Sequence, residues 1–409
     1  MVTQQIRRTV EEHAAAVACL LEPAPAEPVP LLAARGRVLA REVVAAVSLP
    51  SFDNSAMDGY AVRAAELEGA TVGDPVELPV VTDIPAGRTD VPPLRPGTVA
   101  RIMTGAPIPE GADAVLPVEQ TDAGTERVRL GARPDAAANI RRAGEDTVAG
   151  DVVLTPGTVL GAAHIGLAAA VGAATLDVRR RPRVLVLSTG SELVAPGSPL
   201  RNGQIYESNG PMLAAAVEDA GGQAELLRFV PDDVEQFLAA LSARVRDGAV
   251  DLLITSGGVS AGAYEVVKDA LTGRGVEFAK VGMQPGGPQG AGRVPELGGI
   301  GVVTLPGNPV SSQVSFEVFV RPLLRTAIGH PRPRRPVRTV TLGERLTSPA
   351  GRRQFRRGVF GADGSVREVG TSASHRLGAL ARAECLIVVP ETTTEVAEGA
   401  AVEVWLLDE

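Results

Sequence analysis

Arg183–Glu192 reads RVLVLSTGSE. An unbroken apolar run that ends in small polar residues and glycine is the pattern of a strand buried on both faces, followed by a tight turn. Two more segments repeat it: Asp251–Ser260, DLLITSGGVS, and Gly299–Pro309, GIGVVTLPGNP. Helical spacing fills the intervals. It covers 209–220, closed by Gly221-Gly222, then 232–246 and 264–274, with a strand at 224–230 and a long closing helix over 310–329. Strand alternating with helix predicts a doubly wound α/β domain over 179–329, a parallel sheet with helices on both faces.

The pattern changes on either side. Beyond His330 comes PRPRRPVR, a proline-rich boundary. Residues 330–409 then carry alternating pieces such as AVEVWLL, which predict a small C-terminal β-barrel-like domain. Upstream, residues 3–21 have apolar positions at helical spacing, and 28–48 and 150–178 read as short strands and turns. Residues 60–140 are punctuated by proline and glycine and read as a separate β-rich module.

Composition narrows the function. A chain of 409 residues is long enough for about two to four domains. A net charge of −8 and only twelve aromatic residues exclude a general nucleic-acid binder, which needs a basic face and stacking platforms. No apolar run approaches the ~20 residues of a membrane span, and the N-terminal stretch is charged throughout, so a cytoplasmic location is expected. Cys19 and Cys385 make no disulfide framework, and His13, His164, His330 and His375 are too scattered for a protein-built metal centre. All but two of the 40 basic residues are arginine, which singles out Lys268 and Lys280 as places where a compact ammonium is wanted.

Three strand-end loops fall together at the carboxyl edge of the predicted sheet, where open α/β sheets bind ligands. They supply Ser188, Thr189 and Gly190; Ser256, Gly257, Gly258 and Ser260; and Pro306, Gly307, Asn308 and Pro309. Small residues there let the backbone approach an oxyanion. Acidic residues sit on the same rim: Glu192, Glu265 and Asp232, the last equally readable as a helix cap. Glu192 and Glu265 beside an anion pocket point to Mg2+ bridging to a phosphate. Two further segments are unusually polar, Asp53–Tyr60 (DNSAMDGY) and Arg101–Pro107 (RIMTGAP), though turns alone would explain them.

Taken in order, DNSAMDGYAV, RIMTGAPIPEGADAV, NIRRAGED, STGSEL, GQIYESN, ITSGGVSAG and LPGNPVSSQVSF resemble the motifs of the molybdopterin molybdenumtransferase family, the bacterial MoeA family that includes the gephyrin E-domain. The resemblance implies an enzyme that takes adenylylated molybdopterin and molybdate, releases AMP and needs a divalent cation, here Mg2+. It implies a homodimer, with a site between the α/β domain of one subunit and the inserted domain of the other. Its layout would be an N-terminal helix at 1–22, a β-rich linking domain at 23–47 and 143–178, an inserted domain at 48–142, the α/β domain at 179–329 and the C-terminal domain at 330–409. Molybdopterin adenylyltransferase and molybdoenzyme apoproteins are the protein partners it would bring.

By the same resemblance Asp58, Thr104, Asp146, Glu192, Asp232 and Lys280 match active-site positions, and Ser311, Arg352 and Ser374 match a molybdate-binding group. Nine arginines between 330 and 358 would attract anions. The chain departs from the family where a KPGKP-like stretch is expected. It reads Met283-Gln284-Pro285-Gly286-Gly287-Pro288, leaving Gln284 as a neutral donor and two lysine charges absent. That departure keeps open a same-fold scaffolding protein with weakened catalysis. The preceding adenylyltransferase step is a third reading, but it would leave most of the chain unexplained.

Overall fold

The run Arg183–Ser188 lies inside a seven-stranded sheet of the computed structural model, which describes residues 6–190, 192–228, 234–245, 250–257 and 266–408. Strand order is Ile6–Arg8, Val276–Val281, Pro288–Val294, Ile300–Leu305, Leu252–Ser256, Arg183–Ser188, Gln223–Arg228. Alternation along the strand decides which helices it meets. Val184 and Val186 face a core with Val17, Leu213, Val217 and Phe316. Leu185 and Leu187 face the opposite core with Leu241, Val267 and Leu271. Helices therefore cover both faces, as the apolar runs require.

The sheet is mixed, where the alternation predicted a parallel one. Pro288–Val294 runs antiparallel to both of its neighbours. The connections on each side, Gly282–Gly287 and Pro295–Gly299, are too short for a crossover, so the chain must turn back as hairpins. The helix expected from residue 3 begins at Val10, because Thr9 caps it. Glu12 N–H donates to Thr9 Oγ1 (3.1 Å) and Thr9 N–H donates to Glu12 Oε2 (2.8 Å). Ile6–Arg8 ahead of the cap becomes an edge strand paired with Ala279–Val281.

The C-terminal sheet runs Met283–Gln284, Arg353–Phe360, Cys385–Val389, Ala401–Leu406, Val337–Thr341, with Val366–Glu368 on the side of Arg353–Phe360. Its first strand is borrowed from the α/β region: Met283 and Gln284 pair in parallel with Arg353 and Gln354. These elements belong to one compact unit, residues 1–27, 157–159 and 178–409.

The second unit holds residues 28–156 and 160–177. Its five-stranded sheet runs Ala114–Pro117, Gly59–Val62, Val99–Ile102, Val76–Ile84, Arg127–Leu130. Gly59 is required there, since a Cβ would stand 2.1 Å from the Leu116 carbonyl oxygen. This unit also contains a helix, Ala162–Ala170, where short strands and turns were expected. Its sequence, AAHIGLAAA, has no polar face to mark a helical period, but His164 Nδ1 accepts from Gly161 N–H (2.9 Å) and starts it.

His13 on the first helix is fully buried, edge-on to Phe319 with ring centroids 4.8 Å apart. Neither ring nitrogen has a hydrogen-bond partner among the described residues. Burial, with Arg8 adding to it, pushes its pKa down to about 4. The neutral ring is therefore the folded form at pH 7. As pH falls from about 6.5 to about 4 the unfolded chain takes up a proton that the folded chain refuses, so stability declines across that window, by about 3 kcal/mol in all. Urea midpoints at pH 7 and pH 4.5 should show this decline in the wild type and a smaller one in His13→Leu. Equal declines in the two proteins would mean that His13 does not drive it.

Candidate active site

Within the larger unit the three strand-end loops meet. Thr189 N–H donates to Ser256 O (3.3 Å) and Gly257 N–H donates to Leu305 O (3.1 Å). Gly257 has φ +95°, and a Cβ on it would lie 2.9 Å from Thr189 O, so glycine alone permits this approach. A Cβ on Gly307 would in turn touch Gly257 Cα at 3.4 Å. Asn209 pins the second loop to the third: its Nδ2 donates to Ser256 Oγ (2.8 Å) and to Gly307 O (2.6 Å). Ser256 Oγ is also within 3.3 Å of Pro306 O and of Ser312 Oγ. Ser188 Oγ is buried at the end of its strand without a protein partner among the described residues. Glu192 is exposed beside Gly190, where a Cβ would stand 2.7 Å from both of its carboxylate oxygens. Asp232, Gly258, Ser260 and Glu265 lie outside the described residues.

The third loop leads into a cavity of about 500 Å³ in the same unit. Asn308 lines it and donates from Nδ2 to Ser374 Oγ (3.0 Å), while Val310 N–H donates to Ser374 O (3.2 Å). Ser311, Gln284, Gly287, Thr371 and Ser372 line the walls. Two cations do too, Lys280 on the strand Val276–Val281 and Arg352 just ahead of Arg353–Phe360, and among the described residues no carboxylate lines the cavity. Among the described residues neither cation is paired with a carboxylate.

That sets Arg352 apart from most of the arginine cluster. Arg335 pairs with Glu317 (2.8 Å), Arg345 with Glu395 (2.8 Å), Arg353 with Glu391 (3.1 Å) and Glu11 (2.5 Å), and Arg356 with Glu368 (3.0 Å). Arg357, buried, donates to Thr371 O and so holds the loop that carries Ser374. Five of the nine arginines are thus held in ion pairs or hydrogen bonds, and Arg352 faces the cavity. Lys268, on the helix Val266–Leu271, is not among the lining residues. Asn209 was missed, although it closes the GQIYESN motif.

In the second unit Asp58 and Thr104 come together, as the two polar segments allow. Thr104 donates to Asp58 Oδ1 twice, from its backbone N–H and from Oγ1, both at 2.7 Å. These two bonds, the backbone one foremost, hold the Asp58 pKa below the usual carboxylate range, so the exposed group is ionised at neutral pH. The segment carrying Asp146 is docked alongside. Ile140–Arg141 pairs with Asn54–Ser55, and Asp53 accepts from Ala143 N–H (2.8 Å) and from Arg142 Nη1 (2.5 Å). Asp146 is exposed, and its backbone N–H donates to Leu49 O (3.0 Å). Asp53, which opens the polar segment Asp53–Tyr60 but is not among the active-site positions named from the sequence, helps fasten the two segments.

Comparison with known proteins agrees along the whole chain. Residues 6–172 match the model of the MoeA N-terminal region (domain I and II), 185–326 that of a probable molybdopterin binding domain, and 339–407 that of the MoeA C-terminal region (domain IV). The chain is 54% identical over 406 residues to molybdopterin molybdenumtransferase 2 of Mycobacterium tuberculosis strain H37Rv, covering 97% of this chain and 99% of the relative. Molybdopterin molybdenumtransferase 1 of the same strain is 38% identical over 427 residues, covering 98% and 99%. The crystal structure of a molybdopterin biosynthesis MoeA protein from Pyrococcus horikosii superposes with a TM-score of 0.81 at 30% identity, covering 98% of this chain and 99% of that one. No helix among the described residues is long and apolar enough to cross a membrane. The motifs, the two-unit architecture and these full-length matches together establish that the chain belongs to the molybdopterin molybdenumtransferase (MoeA) family, enzymes of molybdenum cofactor biosynthesis.

Proposed function

We propose that this chain inserts molybdate into adenylylated molybdopterin with release of AMP. The observation that carries the proposal is the cavity beside the strand-end loops. Among the described residues it offers two cations not paired with a carboxylate, hydroxyls and the side-chain amides of Gln284 and Asn308, and no carboxylate lines it, which suits an oxyanion. Molybdenum ends on the sulfurs of the pterin, which is why the chain needs no cysteine or histidine ligands of its own.

The loops of Ser188–Gly190, Ser256–Gly257 and Pro306–Asn308 would bind the pterin and its phosphates through backbone N–H groups and hydroxyls. Lys280 and Arg352 would hold molybdate, with Ser311, Ser374 and Gln284 as further donors. The donor set fits Mg2+. Among the described residues one exposed carboxylate, Glu192, stands beside the strand-end loops, which suits a hard cation that takes one or two protein oxygens and completes its shell with phosphate and water. Bound there, Mg2+ would neutralise phosphate charge as AMP leaves. The protein is proposed to act as a homodimer, supplied by an adenylyltransferase and drained by molybdoenzyme apoproteins. Purified protein given adenylylated molybdopterin, Mg2+ and molybdate should release AMP in proportion to molybdate. Pterin binding without AMP release would instead favour the scaffolding reading.

Gly287 gives a direct check on the cavity. Its neighbour Gly286 takes the positive φ of the turn (+105°), and a Cβ on Gly287 would meet only Val281 O at 3.6 Å and Met283 O at 3.8 Å. A lysine therefore enters without strain. Gly287→Lys should lower the molybdate concentration for half-maximal AMP release about tenfold, the scale of one charge-assisted hydrogen bond. An unchanged half-saturation in the folded variant would remove that wall of the cavity from the oxyanion site.

A further inference from the structure

Gln284 and Gln354 are register partners in the parallel pairing that joins the α/β region to the C-terminal sheet. Gln354 is fully buried and does not line the cavity; Gln284 is half-buried and does. Gln354 Nε2 donates to Gln284 Oε1 at 3.0 Å, and Gln354 Oε1 is buried with no partner among the described residues. A primary amide has one acceptor end and one donor end. With its acceptor end taken by Gln354, Gln284 has its donor end left for the cavity, and among the described residues no protein acceptor engages it. Turning both amides over would bury two unused N–H groups on Gln354 in place of one, and orphaned N–H groups are the rarer defect in folded proteins.

We propose that Gln354 is a positioning residue for oxyanion binding. It holds the Gln284 amide with its N–H groups toward the cavity, so that a neutral side chain donates to molybdate where an ammonium is otherwise expected. Affinity for the anion then depends on a side chain that never touches it. The proposal rests on reading the cavity as the molybdate site.

Gln354→Glu tests it, because a carboxylate of the same size can only accept. Gln284 must then give its N–H to the introduced carboxylate and turn its oxygen toward the anion. The molybdate concentration for half-maximal AMP release, and the dissociation constant for molybdate measured by calorimetry, should both rise about ten- to a hundredfold. The rate at saturating molybdate should stay nearly unchanged, a split that general damage to the fold would not produce. Adding Gln284→Lys to Gln354→Glu should restore affinity, since an ammonium can pair with the carboxylate and keep N–H groups for the cavity. Gln354→Met, which puts no charge in the core, should show a smaller rise and decides the matter if Gln354→Glu does not fold. Unchanged molybdate saturation in the folded variants, with a wild type that does respond to molybdate, would overturn the positioning role and leave the cavity reading intact. A wild type that neither binds molybdate nor releases AMP would overturn the cavity reading, and the role with it.

Discussion

Asp58→Asn and Glu192→Gln should each slow AMP release by about two to three orders of magnitude, the scale of removing one well-placed electrostatic group from a transition state. Asp58 makes the cleaner case. Both bonds from Thr104 fall on Oδ1, and an asparagine can present its amide oxygen in that place. The variant keeps the loop and loses only the charge. Both carboxylates are exposed, so the folded state should be nearly unaffected and the urea midpoint close to that of the wild type. Near-normal AMP release from either variant would remove that residue from the mechanism.

The same pair tests the proposed dimer. If each site draws Asp58 from one subunit and Glu192 from the other, a heterodimer of the two variants has one site with both defects and one with neither. Random exchange of equal amounts then gives about a quarter of wild-type activity. No recovery, with subunit exchange confirmed, would mean that each chain builds its own site.

The α/β region was legible because its strands are buried on both faces. RVLVLS, LLITS and IGVVTL carry enough apolar residues to announce themselves, and their small-residue turns mark the ligand edge. Pro288–Val294, PQGAGRV, was not legible as a strand. It has almost no β-branched side chains, yet it lies between two other strands. Glycine is what admits it: a Cβ on Gly292 would stand 1.9 Å from Gly275 O, and one on Gly290 would lie 2.3 Å from Thr304 Oγ1. Its place is set by the neighbouring backbones, which a local pattern does not contain. The site divides in the same way. Asp58, Thr104, Glu192, Lys280 and Arg352 stood out by motif. Asp53 and Asn209 lay inside quoted motifs and Gln354 in none, but all three act through bonds to residues far along the chain, which no local pattern contains.

The arginine cluster carries a second large expectation, for stability. Glu317 is 4% exposed and lies on a π-helical turn, Phe316–Val320, between Arg335 and Arg321, itself 1% exposed. Arg335 Nε donates to Glu317 Oε2 (2.8 Å) and Nη2 to Oε1 (3.1 Å), a two-point clasp, while Nη1 reaches Leu407 O. Through Arg335, one carboxylate thus ties the helical layer of the α/β sheet to the chain just beyond the last strand of the C-terminal sheet. Removing it takes a counter-charge away from the buried Arg321 guanidinium and the largely covered Arg335 one, which costs far more than the pair contributes while intact. Glu317→Ala should lose about 3–5 kcal/mol, much of the stability of a typical domain. A Glu317/Arg335 double-mutant cycle should show a positive coupling, because the second deletion removes a charge whose carboxylate the first had taken away. The readout is the urea midpoint, taken with AMP release, since the cavity walls come from both sheets joined by this clasp. A loss below about 1 kcal/mol, the range of exposed pairs, would show that water reaches Glu317 and that the clasp adds little to the strand pairing and apolar packing that join the two sheets.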